Sequence, residues 1–412
     1  MFIVAFSGIG FAEPVFKDPN LRAELVTEGL SSPTSMAFIN DDTILVTEKN
    51  TGAIRLVTNG ILQQEPILEL DVDTTTLTCC RGLLGIATNE KKVQSPDVFL
   101  YLSEAANENT PVRNKLYKYQ WDDVSKSLVD PKLLLDLPAT PGPNHPAGKI
   151  TIGLDDYLYT VIGDLSKEGK LQNIKDGPDP DDSSVILKIN MLNGSAAHDN
   201  PFVNTYSNTN PELENQMNKY YAYGIHNSFG LAIDPVTGYL WDTENGDEDY
   251  DEINLVRPGF NSGWKILMGP MSESDDGVVV DDLVMFEGSY YADPLLSWEP
   301  SLGLTDIEFF NSSKLGDQYS NNMFVGDISN GNLYFLKVDN NRTGLIFDNT
   351  DIQRDLVVDG EEELETITLG SGFGGITDIE TSPDGFLYVM TFDQDSDGAG
   401  GIYRISLVDP HM

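Results

Sequence analysis

The sequence is short of basic residues, histidine and cysteine. Only 25 Lys and Arg stand against 66 Asp and Glu in 412 residues, a formal net charge of −41. That balance excludes a basic face for the phosphate backbone of nucleic acid and opposes docking on anionic lipid. It says nothing about fold. Four histidines leave few candidates for base chemistry near neutral pH. The two cysteines, Cys79 and Cys80, are adjacent, so they cannot staple distant strands. They are free thiols or a vicinal disulfide, and no CxxC or nearby His makes them a zinc site. No segment is long and apolar enough to span a bilayer as a helix, and no sustained amphipathic helix is visible. The best helical candidate is the short stretch from Pro211 to Tyr220.

What remains is β-branched and aromatic, with 40% hydrophobic residues overall, enough for a large core. Residues 2–12 are apolar and small and end Gly10-Phe11-Ala12, which reads as a truncated secretory signal. Sequons at Asn193, Asn311 and Asn341 fit an exported chain, so an extracytoplasmic location is expected. One pattern recurs six times: an alternating strand after a turn, at 43–48, 97–103, 156–162, 238–243, 322–326 and 385–390. Each copy is followed by a hairpin partner and preceded by a strand rich in small residues. Period-2 alternation marks strands rather than helices. Six repeats of three or four antiparallel strands predict an all-β, six-bladed propeller of four-stranded blades, a single domain over residues 25–407. A pair of β-sandwiches is the alternative. The longest repeats hold insertions at 164–183, 193–221 and 263–297, where a site on one face is expected.

His145 and His226 each stand at the entrance of a small-residue strand, the strand that lines a propeller's channel. Convergence of two histidines in adjacent repeats makes them candidates for general-base chemistry. The run Trp241–Asp247, continued by Glu248–Glu252, packs acids around Gly246 and suits a hard cation such as calcium. Asp393-Gln-Asp-Ser-Asp-Gly398 is a second candidate calcium turn, without the closing Glu of an EF-hand.

The run Tyr223-Gly-Ile-His-Asn-Ser-Phe-Gly230, then Thr243-Glu-Asn-Gly246, Asp251-Glu-Ile-Asn254 and Asn261-Ser-Gly-Trp264, resembles the soluble glucose/sorbosone (aldose sugar) dehydrogenases. So do Arg81-Gly-Leu-Leu-Gly85, His145-Pro-Ala-Gly-Lys149, Ile162-Gly-Asp164 and Trp298-Glu-Pro-Ser301. Those proteins are six-bladed propellers that use pyrroloquinoline quinone (PQQ) and calcium. The resemblance implies that His145 takes the proton of a sugar C1 hydroxyl, oriented by Asp164, while hydride passes to the quinone. It implies calcium on the backbone carbonyls of Gly246 and Asp247. It implies cofactor contacts from Asn144, His226, Asn227 and Trp298. Cys80 falls where a cavity-facing polar residue is expected. There a vicinal disulfide offers a platform such as methanol dehydrogenases stack their quinone on, or else a strained turn.

The sequence also departs from the family. The family's Arg before the Asn of the fourth-repeat motif is His226 here. Its Arg-x-Arg-Asp entry to the last repeat is Gly375-Ile-Thr-Asp378, and its fifth-repeat Lys is missing from Asp327-Ile-Ser-Asn330. Scaffold and base are kept while the cationic clamp for a tricarboxylate is reduced. Two functions follow: a sugar dehydrogenase, or a calcium-binding propeller without quinone that acts as a carbohydrate binder or lactonase-like hydrolase.

Overall fold

A computed structural model describes residues 13–74, 80–89, 91–92, 95–205, 210–274, 277–393 and 399–408. Residues 2–12, Cys79 and most of the 393–398 acidic turn lie outside the described residues, and with them the expectations placed there. The described strands form a β-propeller of six sheets. The innermost strands are β1 (Pro33–Asn40), β2 (Leu83–Thr88), β3 (Ile150–Ile152), β4 (Ser228–Ile233), β5 (Leu304–Phe309) and β6 (Gly375–Thr381). Each pairs antiparallel with the next strand along the chain. Each also packs on its neighbour in the order β1 to β6, and β6 returns to β1.

The ring closes through its ends. The strand Leu21–Ser31 joins the outer side of the last sheet, antiparallel to Ala399–Leu407, with Leu21 opposite Leu407 and Ser31 opposite Ala399.

A middle strand of a sheet stacked between two others has no solvent face. That is why Thr43–Glu48 and Met323–Asp327 are buried at every position. The core lies between neighbouring sheets rather than at one centre. Phe99, Tyr101 and Leu116 meet Leu158, Val185 and Leu187 across one such junction. Of the three α-helices among the described residues, Pro211–Met217 was expected, with Asn210 capping Glu212 N–H. Thr350–Asp355 and Glu361–Ile367 were not; at six and seven residues they are too short to show a helical period. No helix among the described residues is long and apolar enough to cross a membrane.

Innermost strands expose an unpaired edge to the channel, and its N–H groups need partners. Acidic side chains supply them across sheets. Asp306 Oδ2 accepts from Ile379 N–H at 3.0 Å, and Glu308 Oε1 from Thr381 N–H at 3.1 Å. The tetrad Thr-Asp-Ile-Glu occurs at both 305–308 and 377–380, so the acids repeat around the axis. Lys149 Nζ sits among them, 2.8 Å from Asp306 and 2.5 Å from Asp378, with Glu380 at 3.8 Å. Burial opposes the Lys149 charge, but Asp306 and Asp378 outweigh it and hold the ammonium well above its ordinary range.

Candidate active site

The segment 141–149 enters β3 through a turn that His145 can make only with a left-handed backbone, φ 56°. Such a φ is costly for a residue with a Cβ and persists only where the surroundings impose it. Here the surroundings are the neighbouring strand end. A Cβ added at Gly163 would lie 2.4 Å from the His226 carbonyl oxygen and 2.5 Å from that of His145. Glycine at that position therefore lets two loops from adjacent sheets close on each other.

Asp164 follows and ties the loops together. Its N–H donates to His226 O at 2.9 Å. Its Oδ1 accepts from His145 Nδ1 at 2.6 Å and from Ser166 N–H at 2.8 Å. Its Oδ2 accepts from Trp264 Nε1 at 2.9 Å. Burial pushes the Asp164 carboxyl up, but the His145 and Ser166 hydrogen bonds prevail and hold it below its ordinary value. An ionised carboxylate only accepts, so His145 carries its proton on Nδ1 and presents a bare Nε2. The side chain is 19% exposed, so that lone pair is reachable.

His226 is 2% exposed. Its ring stacks on Trp264, centroids 3.8 Å apart, and meets His145 edge to face at 4.2 Å. Its Nδ1 lies 2.7 Å from the carbonyl oxygen of Asn245, which can only accept, so this ring too is protonated on Nδ1. Its Nε2 is buried and has no hydrogen-bond partner among the described residues. Burial, then the neighbouring His145, pull the His226 pKa down to about 4. His226 is therefore neutral and is no replacement for a cationic clamp.

On the axis lies a cavity of about 400 Å³ whose wall includes Lys49, Cys80, Lys149, Asn245, Thr305 and Thr377. Asn245 links cavity and site, since it lines the one and holds His226 in the other. Cys80 is disulfide-bonded and faces this cavity. Arg81 is paired to Asp73 at 2.7 Å, and Lys149 to its acids, so neither offers free charge to a ligand. Lys49 differs: it has no ion-pair partner among the described residues, and burial pulls its pKa down.

The other expected site residues divide. Asn144 is exposed beside His145, and Asn227 is buried with its Oδ1 unpartnered among the described residues. Gly246 is half-buried, its N–H donating to Asp251 Oδ1 at 3.2 Å, and Asp247 is exposed yet close enough for its charge to act on His226. The placement of Trp298 corrects the expectation of a cofactor contact. It is 1% exposed and sits in the core between sheets, its ring 5.7 Å from Tyr334. In the strand Leu296–Trp298 it pairs with Val358 on the outer side, away from the axis.

Three contributors escaped the sequence reading. Trp264 stands 100 residues from the carboxylate it holds, and no local pattern signals that bond. Lys49 follows strand 43–48 directly and reads as an ordinary hairpin residue. Glu244 was one acid among many. Its Oε1 accepts His226 N–H at 2.6 Å and its Oε2 accepts the Ser262 hydroxyl at 2.5 Å, fixing the His226 backbone from beneath.

A sequence profile described as Glucose / Sorbosone dehydrogenase matches residues 30–404. The chain is 27% identical over 391 residues to an uncharacterized protein of Synechocystis, covering 90% of this chain and 84% of that one. It is 23% identical over 386 residues to an aldose sugar dehydrogenase of Escherichia coli, covering 94% and 93%. It shares its fold with the PQQ-bound form of an aldose sugar dehydrogenase from Streptomyces coelicolor, at 20% identity and TM-score 0.65, covering 95% and 100%.

Proposed function

Because the chain belongs to the Glucose / Sorbosone dehydrogenase family, we propose that it oxidises the C1 hydroxyl of an aldose sugar at the site built by His145 and Asp164. The observation that carries this reading is the base itself: an imidazole with Nδ1 locked on an ionised carboxylate and Nε2 bare and reachable. We read the six sheets as six blades, and residues 25–407 as one domain. We also take the protein to be exported, in keeping with the exposed sequons at Asn193, Asn311 and Asn341.

In this reading the sugar C1 hydroxyl donates to His145 Nε2, which takes the proton as the C1–H bond breaks. Asp164 stabilises the imidazolium that forms and keeps the ring in one orientation. Trp264 fixes the second carboxylate oxygen, so Asp164 cannot turn away. Glu244 and the Asn245 carbonyl hold His226 as the wall beside the base.

The residues of the cavity fit an anionic, polar cofactor, though with fewer cations than the resemblance implies. Among the described residues the buried Thr305 hydroxyl has no hydrogen-bond partner, and Lys49, in the same wall, has no ion-pair partner. Lys49 and Thr305 would hold PQQ over the Cys80 wall, and the carbonyls of Gly246 and Asp247 would hold calcium. When bound, the quinone supplies the hydride acceptor and calcium a Lewis acid.

The test is reconstitution of purified protein with PQQ and calcium, followed by dye reduction with a panel of aldoses. Sugar-dependent reduction, with a quinone spectrum that survives desalting, is expected. No turnover with any aldose and no retained quinone would sink the proposal.

A further inference from the structure

His145 and His226 share a second property that base chemistry does not use. Both rings carry their proton on Nδ1, and both protons are engaged: one by the Asp164 carboxylate at 2.6 Å, the other by the Asn245 carbonyl at 2.7 Å. An imidazole whose Nδ1–H is tied to a carboxylate or a backbone carbonyl is the arrangement that outer-shell partners impose on metal-ligating histidines. It fixes the tautomer, aims the ring and leaves Nε2 as the donor.

Here both Nε2 atoms are left over. That of His226 is buried without a partner among the described residues, which costs free energy unless something fills it. The ring centroids stand 4.2 Å apart, and one ring nitrogen of each histidine lies with an Asp164 oxygen in a cluster whose atoms are all within 4.8 Å of one another. Asp164 is saturated by His145, Ser166 and Trp264, so it serves from the outer shell rather than as a ligand.

We propose that His145 Nε2 and His226 Nε2 form a two-imidazole site for a borderline divalent cation of the zinc class. Nitrogen donors select such metals over calcium, which prefers oxygen. Two protein ligands leave the remaining positions open to water or to a substrate oxygen. The site is distinct from the calcium position read at Gly246 and Asp247. It is also exclusive of the base role, because a cation on His145 Nε2 occupies the lone pair that would take the sugar proton. Zinc is therefore an inhibitor of the sugar reaction as well as a ligand, and its binding does not depend on that reaction being present.

The test is titration of the full-length protein, free of quinone, with cobalt(II), read by its visible absorption. Zinc follows as competitor, read by calorimetry. One equivalent is expected to bind. His226→Gln and His145→Gln should each weaken binding at least tenfold, and Asp164→Asn by roughly 10–100-fold through the outer shell. His198→Gln, at an exposed histidine, should leave binding unchanged. Copper(II) should quench the fluorescence of Trp264, stacked on His226, in the wild type and not in His226→Gln. Circular dichroism and melting of each variant confirm folding, and the more exposed His145 carries the test if His226→Gln does not fold. Absence of binding, or binding that survives both His145→Gln and His226→Gln, overturns the proposal.

Discussion

Asp378 Oδ2 accepts the backbone N–H of Met36 at 2.6 Å, across the point where the last inner strand meets the first. The same carboxylate binds Lys149, which comes from the third inner strand's approach and also reaches Asp306. One ammonium thus joins acids from two further sheets at the axis. Burial pushes Asp306 well up, and Glu380 likewise, so the cluster carries less negative charge than its carboxyl count suggests.

Lys149→Met should destabilise by about 3–5 kcal/mol, because it strands buried carboxylates without their cation. The triple change Lys149→Met, Asp306→Asn, Asp378→Asn should recover most of that loss, since Asn still accepts the Ile379 and Met36 N–H groups. Denaturant unfolding of the two variants checks both statements.

Asp164→Asn should lower kcat for sugar oxidation by about 10²–10⁴-fold with little change in KM, the scale of a lost general base. The amide accepts poorly from His145 and lets the ring choose the wrong tautomer. His145→Ala should fall in the same range, and the double variant should be no worse than His145→Ala.

Gly163→Ala tests the closeness of the two loops. Its methyl group would meet two carbonyl oxygens at 2.4 and 2.5 Å, so the His145 and His226 loops must separate. Activity and melting temperature should fall together, whereas Asp164→Asn should lower mainly activity.

Lys49→Met separates stability from binding. A half-buried ammonium with no partner among the described residues costs folding free energy, so the variant should melt higher than wild type. Its affinity for PQQ, followed by fluorescence titration, should drop. A site that holds such strain for a ligand shows this trade-off.

Burial raises the Glu252 pKa to about 7, well above its ordinary value. A raised carboxyl stabilises the fold at low pH, and that stability is lost as pH rises through the folded pKa. Glu252→Gln removes the titration while its amide oxygen can still accept the Gly269 N–H. Its melting temperature should therefore gain on wild type as pH rises from about 5 to about 8.

Much of the ring was legible in the sequence because each sheet repeats one local pattern. The strand Thr43–Glu48 ends where alternation and turn residues place it. The structure brings His145, Asp164 and His226 together, and their hydrogen-bond partners fix which ring nitrogen carries the proton. Trp298 was misplaced because a motif gives a position in sequence but not the face of its strand. The roles of Lys49 and Trp264 were hidden for the opposite reason: each acts through contacts that only the closed ring creates.

The pairing of Leu21–Ser31 with Ala399–Leu407 also bears on how the protein is made. The strand Leu21–Ser31 leaves the ribosome well before its partner, which follows all the intervening inner strands in the chain. Until then its hydrogen-bonding edge stands open, and the last sheet lacks its outer strand. Folding can advance sheet by sheet during synthesis, but circular closure waits until residues 399–407 have been made. A chain cut short before residue 399 would keep most of its sheets and still leave that edge free to pair with another molecule.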